Sequence, residues 1–178
     1  MYLTNIVIDN QCSHIPILCN HVNWGNVIKN KVLKDSLFYR IYFKNALCSM
    51  NGMYIVLKIN KLKWTYHNNT VSCTYNPISN INLINHIVQI EQSILKCHNI
   101  SNDDKTNSLL ICDDIVNNRI KISNSIIPFT NKSVLMLKIS GLWETNTHRG
   151  LVYKFIIVNT VEKTDLTNSN NDEQNKIV

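Results

Sequence analysis

The side chains with the clearest chemical potential lie in the run Leu37 to Lys44, where rings and cations alternate. In an extended chain successive side chains point to opposite faces. Leu37, Tyr39, Ile41 and Phe43 therefore share one face, and Phe38, Arg40, Tyr42 and Lys44 share the other. The first set has the composition of a core. The second offers flat rings on which unpaired bases can stack and positive charge that can follow phosphates, the two requirements of a single-strand groove. Lys58, Lys61, Lys63, Trp64 and Tyr66 repeat the theme, although a bulge would be needed to bring all of them to one face. Half of the aromatic residues of the chain fall between Phe38 and Tyr66. Strands favour aromatic residues for packing, and outward lysines guard sheets against edge pairing. The same pattern therefore also suits a structural or regulatory module that binds another protein and no nucleic acid.

Catalytic constellations are hard to assemble from this chain. It holds only four glycines, with no glycine-rich phosphate loop, no G-x-S-x-G and no H-E-x-x-H, so neither an enzyme nor a cofactor is expected. Asp103-Asp104 and Asp113-Asp114 are adjacent carboxylates; on a strand such neighbours point to opposite faces, so both pairs read as solvated loop ends. Cys12, His14, Cys19 and His21 are the best metal candidates, yet their spacing matches no standard finger, and no metal is expected. The six cysteines lie at wide intervals without a C-x-x-C pair and read as free, mostly buried thiols.

Net charge is +6, and its distribution matters more than its size. From Lys29 to Tyr66 eight basic residues face one acid, Asp35. The chain contains 28 asparagines and 25 isoleucines, residues with AT-rich codons, which points to a nucleotide-biased genome, viral or parasitic. Asparagine abundance also accounts for the sequons at Asn68, Asn99 and Asn131. No run approaches the ~18 consecutive apolar residues of a membrane span, and Met1 to Asn10 lacks the pattern of a signal peptide, so the expected location is intracellular and off the membrane.

The elements that must position these residues are mostly strands. Period-two alternation marks Leu37 to Lys44, Met53 to Tyr66, Val71 to Tyr75, Val134 to Ser140 and Leu151 to Val158. His67 to Thr70 reads as a tight turn, Asn51-Gly52 as a hairpin signal, and Glu144 to Gly150 as a second hairpin. After Pro77, the run Asn80 to His98 places Leu83, Ile84, Ile87, Ile90, Ile94 and Leu95 on one side of a helix capped by Ser79 or Asn80. Shorter strands are expected near Leu109 to Cys112 and Arg119 to Ser123. The order implies one mostly β domain over residues 1–158 with a central amphipathic helix, as an OB-type, partly open five-stranded barrel or another small α+β sheet fold. Residues 159–178 read as a mobile, mildly acidic tail.

Leu137-Lys138-Ile139-Ser140-Gly141-Leu142-Trp143-Glu144-Thr145, followed by Gly150-Leu151-Val152-Tyr153-Lys154-Phe155, resembles the C-terminal signature of a protein family of large DNA viruses. That family is itself similar to the replicative single-stranded-DNA-binding proteins of short-tailed phages. The helix over Asn80 to His98, with Ile90-Glu91-x-x-Ile94-Leu95, resembles the one preceding the signature. The resemblance implies an OB-type fold, no catalysis, and binding of single-stranded DNA during viral replication, which sets the expected location at viral replication sites; viral replication proteins and a second copy of the chain are the further partners considered. Lys138, Trp143 and Lys154 within the signature, and Arg149 in the turn between its two halves, are candidate contacts; Trp143 and Tyr153 suit a core as well as they suit stacking. Unlike the phage proteins, the chain ends without a strongly acidic tail.

Overall fold

The computed structural model describes residues 6–11, 21–44, 46, 49–67, 70–98, 104–123 and 133–159. Cys12, His14, Cys19, Cys48, the three sequon asparagines, Asp103 and the tail from residue 160 lie outside them. The architecture is mostly β with one main helix. The strands are β1 (Ile6–Ile8), β2 (Val22–Lys29), β3 (Leu37–Lys44), β4 (Ser49–Asn51), β5 (Met53–Leu57), β6 (Lys63–His67), β7 (Thr70–Thr74), β8 (Thr106–Ser108), β9 (Ile120–Ser123), β10 (Ser133–Glu144) and β11 (His148–Asn159). The helices are α1 (Ile81–Cys97) and α2 (Leu110–Val116).

The main sheet runs β1-β5-β10-β11-β8, with β3 attached to β10 and flanked by β2 and β4; β6-β7-β9 form a second, antiparallel sheet. Among the described residues neither sheet closes on itself. β10 organises the main sheet because it is long enough to pair with two strands in succession along one edge. Leu135 to Ile139 pair with β5, and Gly141 to Glu144 pair with β3. The register against β11 shifts between Ile139 and Gly141, so a bulge bends the sheet at the changeover. Glu144 and Arg149 face each other across the β10–β11 hairpin at its expected position.

Both sheets share one core. Ile41, Met53, Ile55, Leu137, Ile139, Leu142 and Leu151 of the main sheet pack with Val71, Cys73, Ile120 and Ile122 of the second. Leu83, Ile84, Ile87, Ile90, Ile94 and Leu95 of α1, the six residues of the expected stripe, are all buried in it. At roughly 1.5–3 kcal/mol for each fully buried aliphatic side chain, this stripe is what holds the helix in place. Asn80, completely buried at the helix start, makes no capping bond to α1. Its Oδ1 accepts the Asn60 N–H (2.7 Å) and its Nδ2 donates to the Asn76 carbonyl (2.9 Å), tying the β5–β6 turn to the helix. No helix among the described residues is long and apolar enough to cross a membrane.

Several local expectations change. The Met53 to Tyr66 run is two strands in different sheets, separated where Lys61 adopts a left-handed conformation (φ 54°). Asn51-Gly52 is not a hairpin: β4 pairs with β3 while β5 pairs with β10 and β1, and Gly52 (φ 99°) marks the crossing. Leu109 to Cys112 enters a helix instead of a strand. The buried Glu91 of α1 supplies the reason, since its carboxylate accepts the N–H groups of Ile111 (3.1 Å) and Cys112 (2.8 Å) and caps α2 from across the core. Burial pushes the Glu91 carboxyl above its ordinary range even though those amides pull the other way. Asp113 and Asp114 thus stand on a helix, and both pair with Arg119. Cys73 and Cys112 are free, whereas Cys97, exposed at the end of α1, is disulfide-bonded, against the expectation of free thiols.

Candidate nucleic-acid interface

Alternation along β3 sorts its side chains into two faces, as its sequence implies. Ile41 and Phe43 are buried and Tyr39 packs against the core, while Arg40, Tyr42 and Lys44 are exposed and Phe38 is half-buried. Leu37, assigned to the core face, is 41 % exposed because the β2–β3 ribbon has by then run past the core. Strand register carries the outer face sideways, since paired residues share a face. Phe38 is opposite Trp143 and Arg40 is opposite Gly141 on β10. Lys138 lies between Tyr54 of β5 and Lys154 of β11. Gly52, bridged to Tyr42, links the two halves: a Cβ on it would come within 3.3 Å of the Lys138 side chain, which passes over that glycine.

Three rings on this face rest against glycines. A Cβ at Gly150 would sit 2.8, 2.9 and 2.9 Å from Cζ2, Cε2 and Nε1 of Trp143. Near-equal distances to three ring atoms place the glycine under the ring plane, so the indole lies flat on the β11 backbone. A Cβ at Gly141 would come within 2.4 Å of the Phe38 ring, and one at Gly25 within 2.9 Å of the Tyr42 ring. Tyr54 adds a fourth ring, with the Lys138 ammonium 4.9 Å from its centroid. A ring laid on its sheet is held in place with its other side turned outward, which is the geometry a base needs for stacking.

Electrostatics follow the same face. Arg40, Lys44, Lys138 and Lys154 all project from it, and none of them forms an ion pair among the described residues. Lys138 and Lys154 are direct cross-strand partners, an arrangement that destabilises a sheet unless an anion answers it. Among the described residues, the strands that build the face, β3, β5, β10 and β11, carry one carboxylate, and it lies elsewhere. Glu144 faces the core side and pairs with Lys105, while Asp113 and Asp114 are engaged by Arg119.

The second basic run does not join this surface. Lys63, Trp64 and Tyr66 belong to the second sheet, with Lys58 and Lys61 exposed in the turn before it. β6 and β7 pair without interruption from Lys63↔Thr74 to His67↔Thr70, so the bulge that could gather the run on one face is absent. Trp64 packs on the core, Tyr66 is 68 % exposed on the same side of the strand, and Lys63 points the other way. Arg149 is corrected more sharply. It is 5 % exposed and its Nε–H donates to Asn107 Oδ1 (2.7 Å), fastening β11 to β8 instead of facing a ligand. Tyr153 lies on the core side, its hydroxyl donating to Asp114 Oδ2 (2.6 Å).

Sequence reasoning passed over Tyr54 and the support that Gly25, Gly141 and Gly150 give the rings. Tyr54 was legible as an outward residue of an alternating strand, but its partnership with Lys138 depends on β5 pairing with β10. His98 also went unremarked. It is buried at the end of α1 between Trp24 (4.5 Å) and Tyr39 (4.3 Å), with Nδ1 3.9 Å from Glu144 Oε2. Burial lowers its pKa and outweighs the opposing pull of Glu144. No group of three or more metal-ligating side chains occurs among the described residues. The chain matches no family model, no curated protein and no solved structure.

Proposed function

We propose that this protein binds single-stranded DNA without catalysis and with little sequence preference, in the replication of a large DNA virus. The observation that carries the reading is the outer face of the main sheet: Phe38, Tyr42, Tyr54 and Trp143 among Arg40, Lys44, Lys138 and Lys154, on strands that contribute no carboxylate to that face. Each base stacked on such a ring contributes roughly 1–3 kcal/mol, and the cations follow the backbone without reading base edges. In duplex DNA the bases are already stacked on one another, so single strands are preferred. The signature resemblance points the same way, since Lys138, Trp143 and Lys154 all belong to that segment and to this face. On this reading the main sheet, bent at the β10 bulge, serves as the wall of a partly open barrel of the OB type.

Titration of labelled oligo-dT, duplex DNA and RNA across a salt series tests the proposal. Binding should be tightest to oligo-dT and should weaken steeply with salt. No binding at low salt would instead favour a surface for another protein.

A further inference from the structure

The ribbon formed by β2 and β3 runs past the core. Val22 and Trp24 still pack on it, but Val27 and Ile28 are each 49 % exposed, and both belong to the last three pairs before the turn. The turn itself is internally braced. Asn30 Oδ1 accepts the N–H groups of Val32 (2.9 Å) and Leu33 (3.2 Å), and the Asn30 N–H donates to the Ser36 carbonyl (2.9 Å). The hydroxyl of Ser36, a buried residue, donates to the Leu33 carbonyl (2.8 Å). This brace holds Val32 at the apex, 97 % exposed, with Leu33 beside it. Lys29, Lys31 and Lys34 surround the apolar pair, with Asp35 as the one acid.

We infer that this hairpin is a wedge that seats the protein where single-stranded DNA meets duplex, its Val32-Leu33 tip lying on the terminal base pair and its lysines holding the flanking phosphates. The inference rests on the single-strand reading above and specifies its preferred substrate. Two features select nucleic acid as the occupant. Charge is complementary, since three ammoniums and one carboxylate ring the apolar tip. The outer face is also continuous: Ile28 pairs with Phe38, so the ring-bearing face leads directly into the ribbon. Phe38 stands about 7 Å along the ribbon from the Asn30–Ser36 closure, two residues at ~3.3 Å each. A strand leaving the duplex at the tip thus meets its first ring within a few nucleotides. Apolar side chains set against a base step are an established means of unstacking and kinking duplex DNA.

Fluorescence anisotropy with a dT strand, a blunt duplex and a duplex bearing the same dT strand as a tail tests the inference. The tailed duplex should bind roughly fivefold to tenfold more tightly than the dT strand alone, the low end of one added stacking contact. The double variant Val32→Ser/Leu33→Ser should erase that ratio while retaining dT affinity and an unchanged melting temperature, since both side chains are at the exposed tip. Equal wild-type affinity for tailed and free strand overturns the wedge and leaves single-strand binding standing. A preference that survives in the variant, or a variant that loses both ligands equally, overturns it as well. Absence of dT binding by the wild type overturns the single-strand reading, and the wedge with it. Pelleting with anionic phosphatidylserine vesicles that depends on Val32, without any tailed-duplex preference, would assign the tip to a lipid surface.

Discussion

Tyr42→Ala and Lys44→Ala should fail in different ways, although the two residues are neighbours on one face of β3. Tyr42 is 40 % exposed and its inner side rests on Gly25, so truncation opens no core cavity and should change stability by about 1 kcal/mol or less. Binding should lose one stacking platform, roughly 1–3 kcal/mol, or about fivefold to 150-fold in Kd. The salt dependence should hardly move. With the four cations Arg40, Lys44, Lys138 and Lys154 each neutralising one phosphate at about 0.7 per contact, log affinity should fall against log salt with a slope near −2.8. Lys44→Ala should reduce affinity more gently and flatten the slope to about −2.1. Tyr39→Ala is the control from the opposite face. Its ring packs on the core 4.3 Å from His98, so truncation should cost on the order of 2–4 kcal/mol of stability, somewhat less than full Phe→Ala burial. Titration with labelled oligo-dT at several salt concentrations, beside urea denaturation of each variant, reads all three. If Tyr42→Ala alters the slope and keeps the affinity, or if Tyr39→Ala spares stability and abolishes binding, the assignment of faces is wrong.

Gly150→Ala should push the Trp143 indole off the β11 backbone and weaken oligo-dT binding with every chemical group of the face still present; tryptophan fluorescence and titration together report it. Gly141→Ala is the harsher change, since its Cβ would meet the Tyr39 carbonyl as well as the Phe38 ring, and it should lower stability by about 1–3 kcal/mol or more in urea melts. Arg149→Ala should destabilise by roughly 1.5–3 kcal/mol through the lost bond to Asn107, yet leave the salt slope of DNA binding unchanged. His98 titrates below the ordinary 6.5, so the unfolded chain takes up its proton first. Its contribution is therefore complete above that pH and lost as pH falls through 6.5 towards the lowered folded value. The stability difference between wild type and His98→Gln, followed by denaturation from about pH 8 to about pH 5.5, should shrink on acidification; a constant difference would refute a neutral, buried imidazole.

Patterning along the chain settles whatever depends on near neighbours in sequence. The period-two pattern of β3 allotted Ile41 and Phe43 inward and Arg40, Tyr42 and Lys44 outward, because an extended backbone leaves side chains no other choice. The stripe of α1 and the β10–β11 hairpin were legible for the same reason. What tertiary structure alone decided is which strands lie side by side. Only the pairing of β10 first with β5 and then with β3 brings Tyr54 to Lys138 and Phe38 to Trp143, and only the β5–β6 turn removes Lys63 and Trp64 to another sheet. Arg149 became a structural residue through Asn107, and Leu110 to Val116 became a helix through Glu91, partners far away in the chain. Local conformation follows from sterics within a few residues, whereas strand neighbours and the partners of buried polar groups follow from how the whole chain covers its apolar surface.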